Sequence, residues 1–293
     1  MIPLLYSQKI EKTDNPLVYV VAAIMILAVV IAFIRLLKAG FSLFRTELVK
    51  SGDVTYSTDK EITVKLQLAT FSYFRKLSPQ GKNEFVKRIL NFLETHTIEG
   101  EVDFSPGLAA KIHVGAAATQ LTFGLEDFVF THFETVILYP GIFRLREGGP
   151  LMKGATSPNG VINISIRDFD LGYANPSDKL NLGLHEFGHA LFMEFLKAVN
   201  EDENDELKNR VYSYIITSDK ILHAGKQKDT FLRDYAFTNR HEFFAVSVEH
   251  FFEAPKEFKE KLPELYVLIK DLLQQDPASD KMDYGIVRNY QSV

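Results

Sequence analysis

The stretch GLHEFGHALF, residues 183–192, places the pattern His-Glu-x-x-His within a run of apolar residues. On an α-helix, His185 and His189 lie one turn apart on the same face, so two imidazole nitrogens can converge on one tetrahedral Zn²⁺. Glu186 is rotated by about 100° from His185 and can reach a water on the metal without being a ligand. The stretch predicts a catalytic zinc site; the alternative is two histidines satisfied inside a helical core.

The residues around this stretch predict the elements that would carry it. NPSDKLNLGLHEFGHALFMEFLKAV (175–199) favours a long apolar helix capped by Ser177 or Asp178. GVINISIRDF (160–169) alternates as a strand does, and we expect residues 161–167 to form a free sheet edge for a peptide substrate. A second strand is predicted within residues 128–140, and helical patterns prevail elsewhere. The predicted fold class is α+β, mostly helical with a small sheet, in a zincin-like arrangement.

A catalytic zinc needs a third protein ligand. The chain has no cysteine, so that ligand must be histidine or carboxylate. NRHEFFAVSVEHFFEAP (239–255) is the obvious source, because Glu242 and Glu249 are seven residues apart on one helical face and His241 and His250 flank it. Spacing alone does not choose among the four, and an amphipathic helix with surface carboxylates fits the same pattern.

Composition narrows the classes of function. The chain has 293 residues, 46% of them hydrophobic and 24% charged, which is enough to bury a full core. Its formal net charge of -5 offers no basic stripe that would neutralise phosphates, so nucleic acid is not an expected partner. The absence of cysteine excludes a disulfide scaffold and a thiolate metal site.

The N-terminal region carries a separate signal. LVYVVAAIMILAVVIAFI (17–34) contains 18 residues without a charge, enough with Leu36 and Leu37 to cross a bilayer, so residues 17–37 are predicted to be a transmembrane helix. A buried core helix or a cleaved signal peptide is the alternative, and acidic residues in the leader 1–16 argue against the latter. The flanking cations are Lys9 and Lys12 before the span, and Arg35, Lys38, Arg45 and Lys50 after it. This bias predicts a single-pass cell-membrane protein with its main domain in the cytoplasm.

The rest of the chain divides by composition. The polar stretch SGDVTYSTDKE (51–61) predicts a stalk or linker over residues 38–70, between the predicted span and the main domain. Ser78 and Pro79 predict a helix start. His113 has no partner three or four residues away and is expected to pack within a helix rather than bind metal.

Residues 71–275 resemble the Mlc titration factor A family of zinc-dependent peptidases. The resemblance implies a zinc peptidase domain over 71–275 and leaves residues 276–293 as a tail. The similar segments, in order, are FSYFRKLSPQGKNEFVKRILNFLETHTIEG, FETVILYPGIF, LHEFGHAL, RDYAFTNRHEFFAVSVEHFFEAP and LLQQDP. Two departures stand out: soluble members lack an N-terminal span, and ALF (190–192) replaces the Lys-Leu-Asp that follows the second histidine in the family.

The resemblance implies a zincin fold with a gluzincin-type zinc site formed by His185, His189 and Glu242. Glu249 then becomes a carboxylate that supports the ligands. Glu186 is the expected general base, and Tyr235, seven residues before Glu242, is the candidate oxyanion donor; a buried tyrosine bonded to a backbone carbonyl is the alternative. The expected function is hydrolysis of peptide or protein substrates. The competing hypothesis is a zinc-containing regulator that binds a protein partner such as a transcriptional repressor, as the family's namesake does.

Overall fold

The computed structural model describes residues 16–51, 55–126, 129–201, 205–224 and 231–286. The chain separates into two compact units, residues 1–44 and 45–293. The predicted leader, residues 1–16, lies outside the described residues except for Pro16. The described part is mostly helical with one small sheet, which confirms the coarse fold class.

The element bounds are as follows. The helices are α1 Pro16–Ser51, α2 Thr58–Gln67, α3 Ser72–Arg75, α4 Pro79–Thr95, α5 Leu108–Thr122, α6 Ile166–Ala174, α7 Leu182–Glu201, α8 Asp205–Ala224, α9 Arg240–Glu253, α10 Pro255–Lys261 and α11 Pro263–Leu273. The strands are β1 Thr97–Gly100, β2 Thr135–Tyr139, β3 Gly154–Ser157 and β4 Val161–Ser165. Short 3-10 helices span Asp234–Thr238 and Met282–Gly285.

The first part of α1 is apolar, and its side chains are not buried against other described residues. Over Pro16–Lys38, 23 residues, the helix is long and apolar enough to cross a membrane. At 1.5 Å per residue this length covers a hydrocarbon core of about 30 Å. A signal sequence near an N-terminus passes the same test of length and composition.

The sheet has the strand order β1-β2-β4-β3. β1, β2 and β4 are parallel, whereas β3 is antiparallel to β4. The prediction that residues 161–167 form a free edge is therefore wrong: β4 pairs on both sides, and the edge strands are β3 next to it and β1 at the other side of the sheet. The reason is a turn at Ser157–Gly160, closed by a 3.0 Å bond from Gly160 N to Ser157 O, with Gly160 at a φ of +86° that favours glycine.

The edge formed by β3 is open along part of its length. Ser165 N donates to Lys153 O at 2.7 Å, so Lys153 and Ala155 direct their backbone groups toward β4. Because successive residues of an antiparallel pair alternate, Gly154 and Thr156 direct theirs away from it. Met152 is bridged to Phe143 on that outer side.

Helix α7 lies in the larger of two hydrophobic cores, where Leu184, Phe187 and Phe192 are fully buried. Its N-terminus is capped by Asn181, whose Oδ1 accepts from Leu184 N at 3.0 Å. The expected cap at Ser177 or Asp178 is wrong, because the chain turns at Lys179, with φ +66°, before the helix begins. The predicted start of α4 is correct: Ser78 Oγ accepts from Gly81 N at 2.9 Å.

Helical and buried residues also lie on both sides of residues 71–275. Within the predicted stalk, α1 continues to Ser51, and Val64 of α2 and Leu68 are buried in the second core. Within the predicted tail, Tyr284 is buried and Asp283 accepts from Ser78 N at 2.7 Å. An amphipathic segment near the end of a domain looks like a polar linker in the sequence alone, because the sequence does not show which surface buries its apolar face. Residues 287–293 lie outside the described part.

Candidate metal centre

Two packed helices build the centre. Gly188 of α7 faces Ala245 of α9, and a Cβ atom on Gly188 would lie 3.3 Å from Ala245 Cα. This close approach brings the His-Glu-x-x-His face of α7 against the first turns of α9. Asn239 fixes the start of α9, since its side chain accepts from Glu242 N at 3.0 Å.

Three ligand atoms converge between these helices. His185 Nε2 lies 3.1 Å from His189 Nε2 and 3.1 Å from Glu242 Oε2, and His189 Nε2 lies 3.4 Å from Glu242 Oε2. Both histidines are buried and Glu242 is partly buried. The fold thus brings together His185, His189 and Glu242 as a cluster that could hold a metal ion.

The charges at this cluster favour a cation. Burial opposes protonation of His185, yet the Glu242 and Glu249 carboxylates outweigh it and raise the pKa of His185 to about 10. Burial also opposes ionisation of Glu242, but the two imidazoles hold the pKa of its carboxyl well below its ordinary value. The carboxylates thus stabilise positive charge between the helices.

Glu249 lies behind the cluster and orients His185. Its Oε1 is 2.7 Å from His185 Nδ1, and its Oε2 accepts from Asn181 N at 2.7 Å and from Arg233 Nη1 at 3.1 Å. Arg233 Nη2 also pairs with Oε1. With Nδ1 bonded to this carboxylate, Nε2 is the ring nitrogen of His185 that faces the cluster, as a metal-binding imidazole requires.

Glu186 is buried beside the cluster, against the edge strand. Thr156 Oγ1 donates to Glu186 Oε2 at 2.8 Å, and a Cβ atom on Gly154 would lie 2.2 Å from Glu186 Oε1. Burial raises the pKa of Glu186 above its ordinary value, although His185 and His189 oppose this shift. A carboxylate with a raised pKa is well suited to accept and return a proton near neutral pH.

Tyr235 lies on the 3-10 helix before α9. Its hydroxyl donates to Glu242 Oε1 at 3.1 Å, and its ring centroid lies 6.0 Å from that of His185. Partial burial and the Glu242 carboxylate raise the pKa of Tyr235 to about 12, so it stays a hydrogen-bond donor. The structure shows this bond to a carboxylate, and not the alternative of a hydrogen bond from Tyr235 to a backbone carbonyl.

The other candidate histidines lie elsewhere. His250 Nδ1 bonds to Val246 O at 2.9 Å, and burial lowers the pKa of His250 to about 4. His241 packs its ring edge-on against Phe192, with centroids 5.3 Å apart. His113 Nε2 bonds to Gln67 O at 3.1 Å, in agreement with a packing role.

Sequence reasoning did not find Arg233, Asn181, Thr156 or Gly154. Arg233 carries a weak signal, since it lies two residues before Tyr235 in a segment already singled out. Thr156 and Gly154 carry none, because their importance comes from the packing of β3 on α7 across about 30 residues of chain.

A cleft of about 620 Å³ opens beside the centre. His185, Glu186, Tyr235, Arg233 and Glu249 form its polar wall. Residues 150–154, three residues of α6 and the segment before α7 also line it. The cleft gives a ligand access to the cluster from solvent.

Comparison with known proteins defines the class. The model of the family described as glucose-regulated metallo-peptidase M90 matches residues 54–274, about three quarters of the chain. The chain therefore belongs to this family of metallopeptidases. It is the family of Mlc titration factor A, which confirms the resemblance seen in the sequence. The chain is also similar to the uncharacterized protein slr2042 of Synechocystis sp., with 24% identity over 231 residues that cover 70% of this chain and 80% of that protein.

Proposed function

We propose that this protein is a membrane-anchored, zinc-dependent metallopeptidase. The observation that carries the proposal is the convergence of His185 Nε2, His189 Nε2 and Glu242 Oε2 beside a buried carboxylate, Glu186, that is not part of the trio. A site that only holds a metal has no use for a general base at that position.

The trio fits zinc. Ligands about 2.0–2.1 Å from a tetrahedral ion are separated from one another by about 3.3 Å, and the three separations here are 3.1, 3.1 and 3.4 Å. Two imidazoles and one carboxylate are a donor set that catalytic zinc sites use. Glu242 Oε2 is buried and makes no aligned hydrogen bond within the described residues, while the Nε2 atoms of His185 and His189 lie 3.1 and 3.4 Å away, as expected of an atom that shares a cation with them.

The reaction would divide among the chain's own residues. His185, His189 and Glu242 would hold the zinc ion, which would supply a water molecule of lowered pKa and polarise the scissile carbonyl. Glu186 takes the proton from the attacking water and delivers it to the leaving amine. Tyr235 stays protonated and donates a hydrogen bond to the oxygen of the scissile carbonyl as that oxygen gains negative charge. Glu249 and Arg233 hold His185 in place throughout.

The substrate would lie along β3. Gly154 and Thr156 offer outward backbone groups on the strand that packs against Glu186, and an extended peptide can add to such an edge as a further strand. This arrangement of an antiparallel edge strand beside the His-Glu-x-x-His helix is what we expect of a zincin. The scissile bond of such a peptide would lie between the strand and the proposed ligand trio.

The membrane anchor is Pro16–Lys38. Its described side chains are exposed to an extent that an apolar helix does not tolerate in water, with Leu36 70% and Val29 68% exposed. A bilayer removes this surface from water. The excess of cations after the span favours a cytoplasmic catalytic domain.

The proposal is tested on the full-length protein purified in detergent. We expect stoichiometric zinc and cleavage of peptides from a broad library. Glu186→Gln should keep fold and zinc but lower the rate by at least about 10²-fold, because it removes the base alone. Glu99→Gln, an exposed carboxylate on β1, is the matched control and should cleave normally. His185→Ala should lose the metal as well as activity.

Two other outcomes would favour the competing hypothesis of a zinc-containing regulator. A zinc-loaded wild type that cleaves no peptide, or a Glu186→Gln variant as active as wild type, would contradict the peptidase. Binding of a protein partner would then be the remaining function of the centre.

A further inference from the structure

Three leucines are exposed on the cleft beside the metal centre. Leu151, Leu171 and Leu180 are 56%, 59% and 57% exposed, and all three line the same cleft as His185 and Glu186. Leu151 precedes β3, Leu171 lies on α6, and Leu180 precedes α7. Three different segments thus contribute one aliphatic wall.

The fold holds two of these segments together. Gly172 of α6 lies against the chain just before α7, where a Cβ atom would be 3.0 Å from Asn181 Cα and 3.1 Å from Leu182 N. Only glycine permits this approach without displacement. Asn181 is itself fixed, because its side chain caps α7 and its backbone N donates to Glu249 Oε2. Leu171 and Leu180 are therefore held by the same segment, around Asn181, that supports His185 through Glu249.

The cations Lys153 and Arg233 of the cleft already have partners, and the acidic residue Asp178 accepts hydrogen bonds from Leu180 N and Asn175 Nδ2. Lys153 pairs with Asp168 at 2.8 Å, and Arg233 is engaged by Glu249 and by Lys179 O. An entering ligand therefore meets aliphatic surface beside cations that are already engaged. An acidic side chain in this part of the cleft would lose water without gaining Lys153 or Arg233 as a free partner.

We propose that Leu151, Leu171 and Leu180 form a specificity pocket for a large aliphatic or aromatic side chain of the peptide substrate, at a residue flanking the scissile bond. This inference rests on the proposed peptidase function and names the substrate class. A substrate side chain is the proposed occupant of the pocket because the open edge of β3 begins at Gly154, which lines the same cleft. A peptide bound along that edge would direct side chains into the cleft. A cleft of about 620 Å³ has room for such a side chain and the adjoining residues.

The expected selectivity follows from burial of apolar surface. Apolar pockets discriminate between substrates that differ by one methylene by about 10 to 200 fold. A peptide with leucine at the flanking position should therefore exceed the alanine peptide by at least about tenfold in kcat/KM. The aspartate peptide should be cleaved more slowly still.

The first test uses quenched fluorescent peptides in which each residue flanking the cleaved bond is varied among leucine, phenylalanine, alanine, lysine and aspartate. Leu171→Ala should reduce the leucine preference, and Leu171→Asp should shift it toward lysine. Leu108→Asp changes a leucine that is 57% exposed on α5, outside this cleft, and should keep the wild-type ranking. Zinc content and unfolding temperature verify that each variant is folded.

A second measurement does not depend on turnover. Hydroxamates bind zinc directly, so amino-acid hydroxamates that differ only in side chain can be ranked by displacement of a fluorescent hydroxamate. Leucine hydroxamate should bind at least about tenfold tighter than alanine hydroxamate, and Leu171→Asp should abolish the difference. If wild type cleaves no peptide but keeps this ranking, the peptidase reaction fails and the pocket stands. If cleavage occurs without apolar preference, or if the Leu171 variants keep the wild-type ranking, the pocket is wrong and the peptidase stands.

Discussion

Glu249 Oε1 lies 2.7 Å from Nδ1 of His185, on the side of the imidazole opposite the ligand trio. Arg233 and the backbone N of Asn181 hold the same carboxylate. One side chain thus links the start of α7, the 3-10 helix region and α9 to a single imidazole. Glu249 and Glu242 belong to the same helix, yet they serve the histidine from opposite sides.

This difference predicts unequal zinc losses. Glu242→Ala removes a ligand and should abolish most zinc binding, whereas Glu249→Ala removes only support for His185 and should weaken affinity by about 10 to 100 fold. Glu249→Gln, which still offers an oxygen to Nδ1, should lose less than Glu249→Ala. Competition with a chelating dye measures all three, and the reverse order for Glu242 and Glu249 would exclude Glu242 as the third ligand.

Gly154→Ala should impair hydrolysis without removing the metal. The added Cβ atom would lie 2.2 Å from Glu186 Oε1, so the carboxylate must move away from its position on Thr156. We expect the rate to fall by at least about tenfold, since a displaced base loses part of its contribution of about 10² to 10⁴. Gly141→Ala is the control, because nothing lies within 4 Å of its Cβ position. Unchanged turnover in Gly154→Ala would argue against Glu186 as the base.

Tyr235→Phe should lower kcat by about 10² to 10³ fold with little change in KM, since the lost hydroxyl acts on charge that develops in the transition state. Zinc content should be unchanged, because the phenol contacts Glu242 Oε1 and not Oε2. Tyr212→Phe, a tyrosine 49% exposed on α8, is the matched control. A Tyr235→Phe variant with wild-type kcat would remove Tyr235 from the mechanism.

His96 should make stability depend on pH. It is stacked on Phe92, and Thr95 Oγ1 and Phe130 O bond to its two ring nitrogens, so the neutral ring is satisfied. Burial lowers the pKa of His96 from 6.5 to about 4. Between these values the unfolded state binds more protons, so the contribution is complete above pH 6.5 and is lost as the pH falls toward 4.

The full contribution is on the order of 3 kcal/mol in the free energy of unfolding. His96→Gln should be less stable at neutral pH and should lose less stability on acidification. His223→Gln, which removes an exposed imidazole, is the reference, and denaturant unfolding at several pH values measures both. Equal slopes in the two variants would show that His96 is not held neutral.

The topology prediction is tested in cells. Protease added outside intact cells should leave the domain that follows Lys38 uncut, whereas permeabilised cells should release fragments from it. The physical reason is the excess of Lys and Arg on the C-terminal flank of the span. Digestion in intact cells would reverse the proposed orientation.

The sequence determined those features that depend on neighbours within about two helical turns. His-Glu-x-x-His fixes two imidazoles on one face and a carboxylate beside them, because a helix has 3.6 residues per turn. The uncharged run 17–34 likewise fixes an apolar helix by composition and length. These expectations need no knowledge of what packs against the helix.

Only the tertiary structure decided how the second helix meets the first. Glu242 and Glu249 share a face but lie about 10 Å apart along α9, so the height at which Gly188 docks on Ala245 determines which carboxylate reaches Nε2 and which reaches Nδ1. The sequence likewise did not determine which strand lies at the sheet edge beside α7. Strand order depends on where the chain turns back, and not on the alternation of apolar and polar residues within one strand. Such choices arise from contacts between residues distant in sequence, where no local period records them.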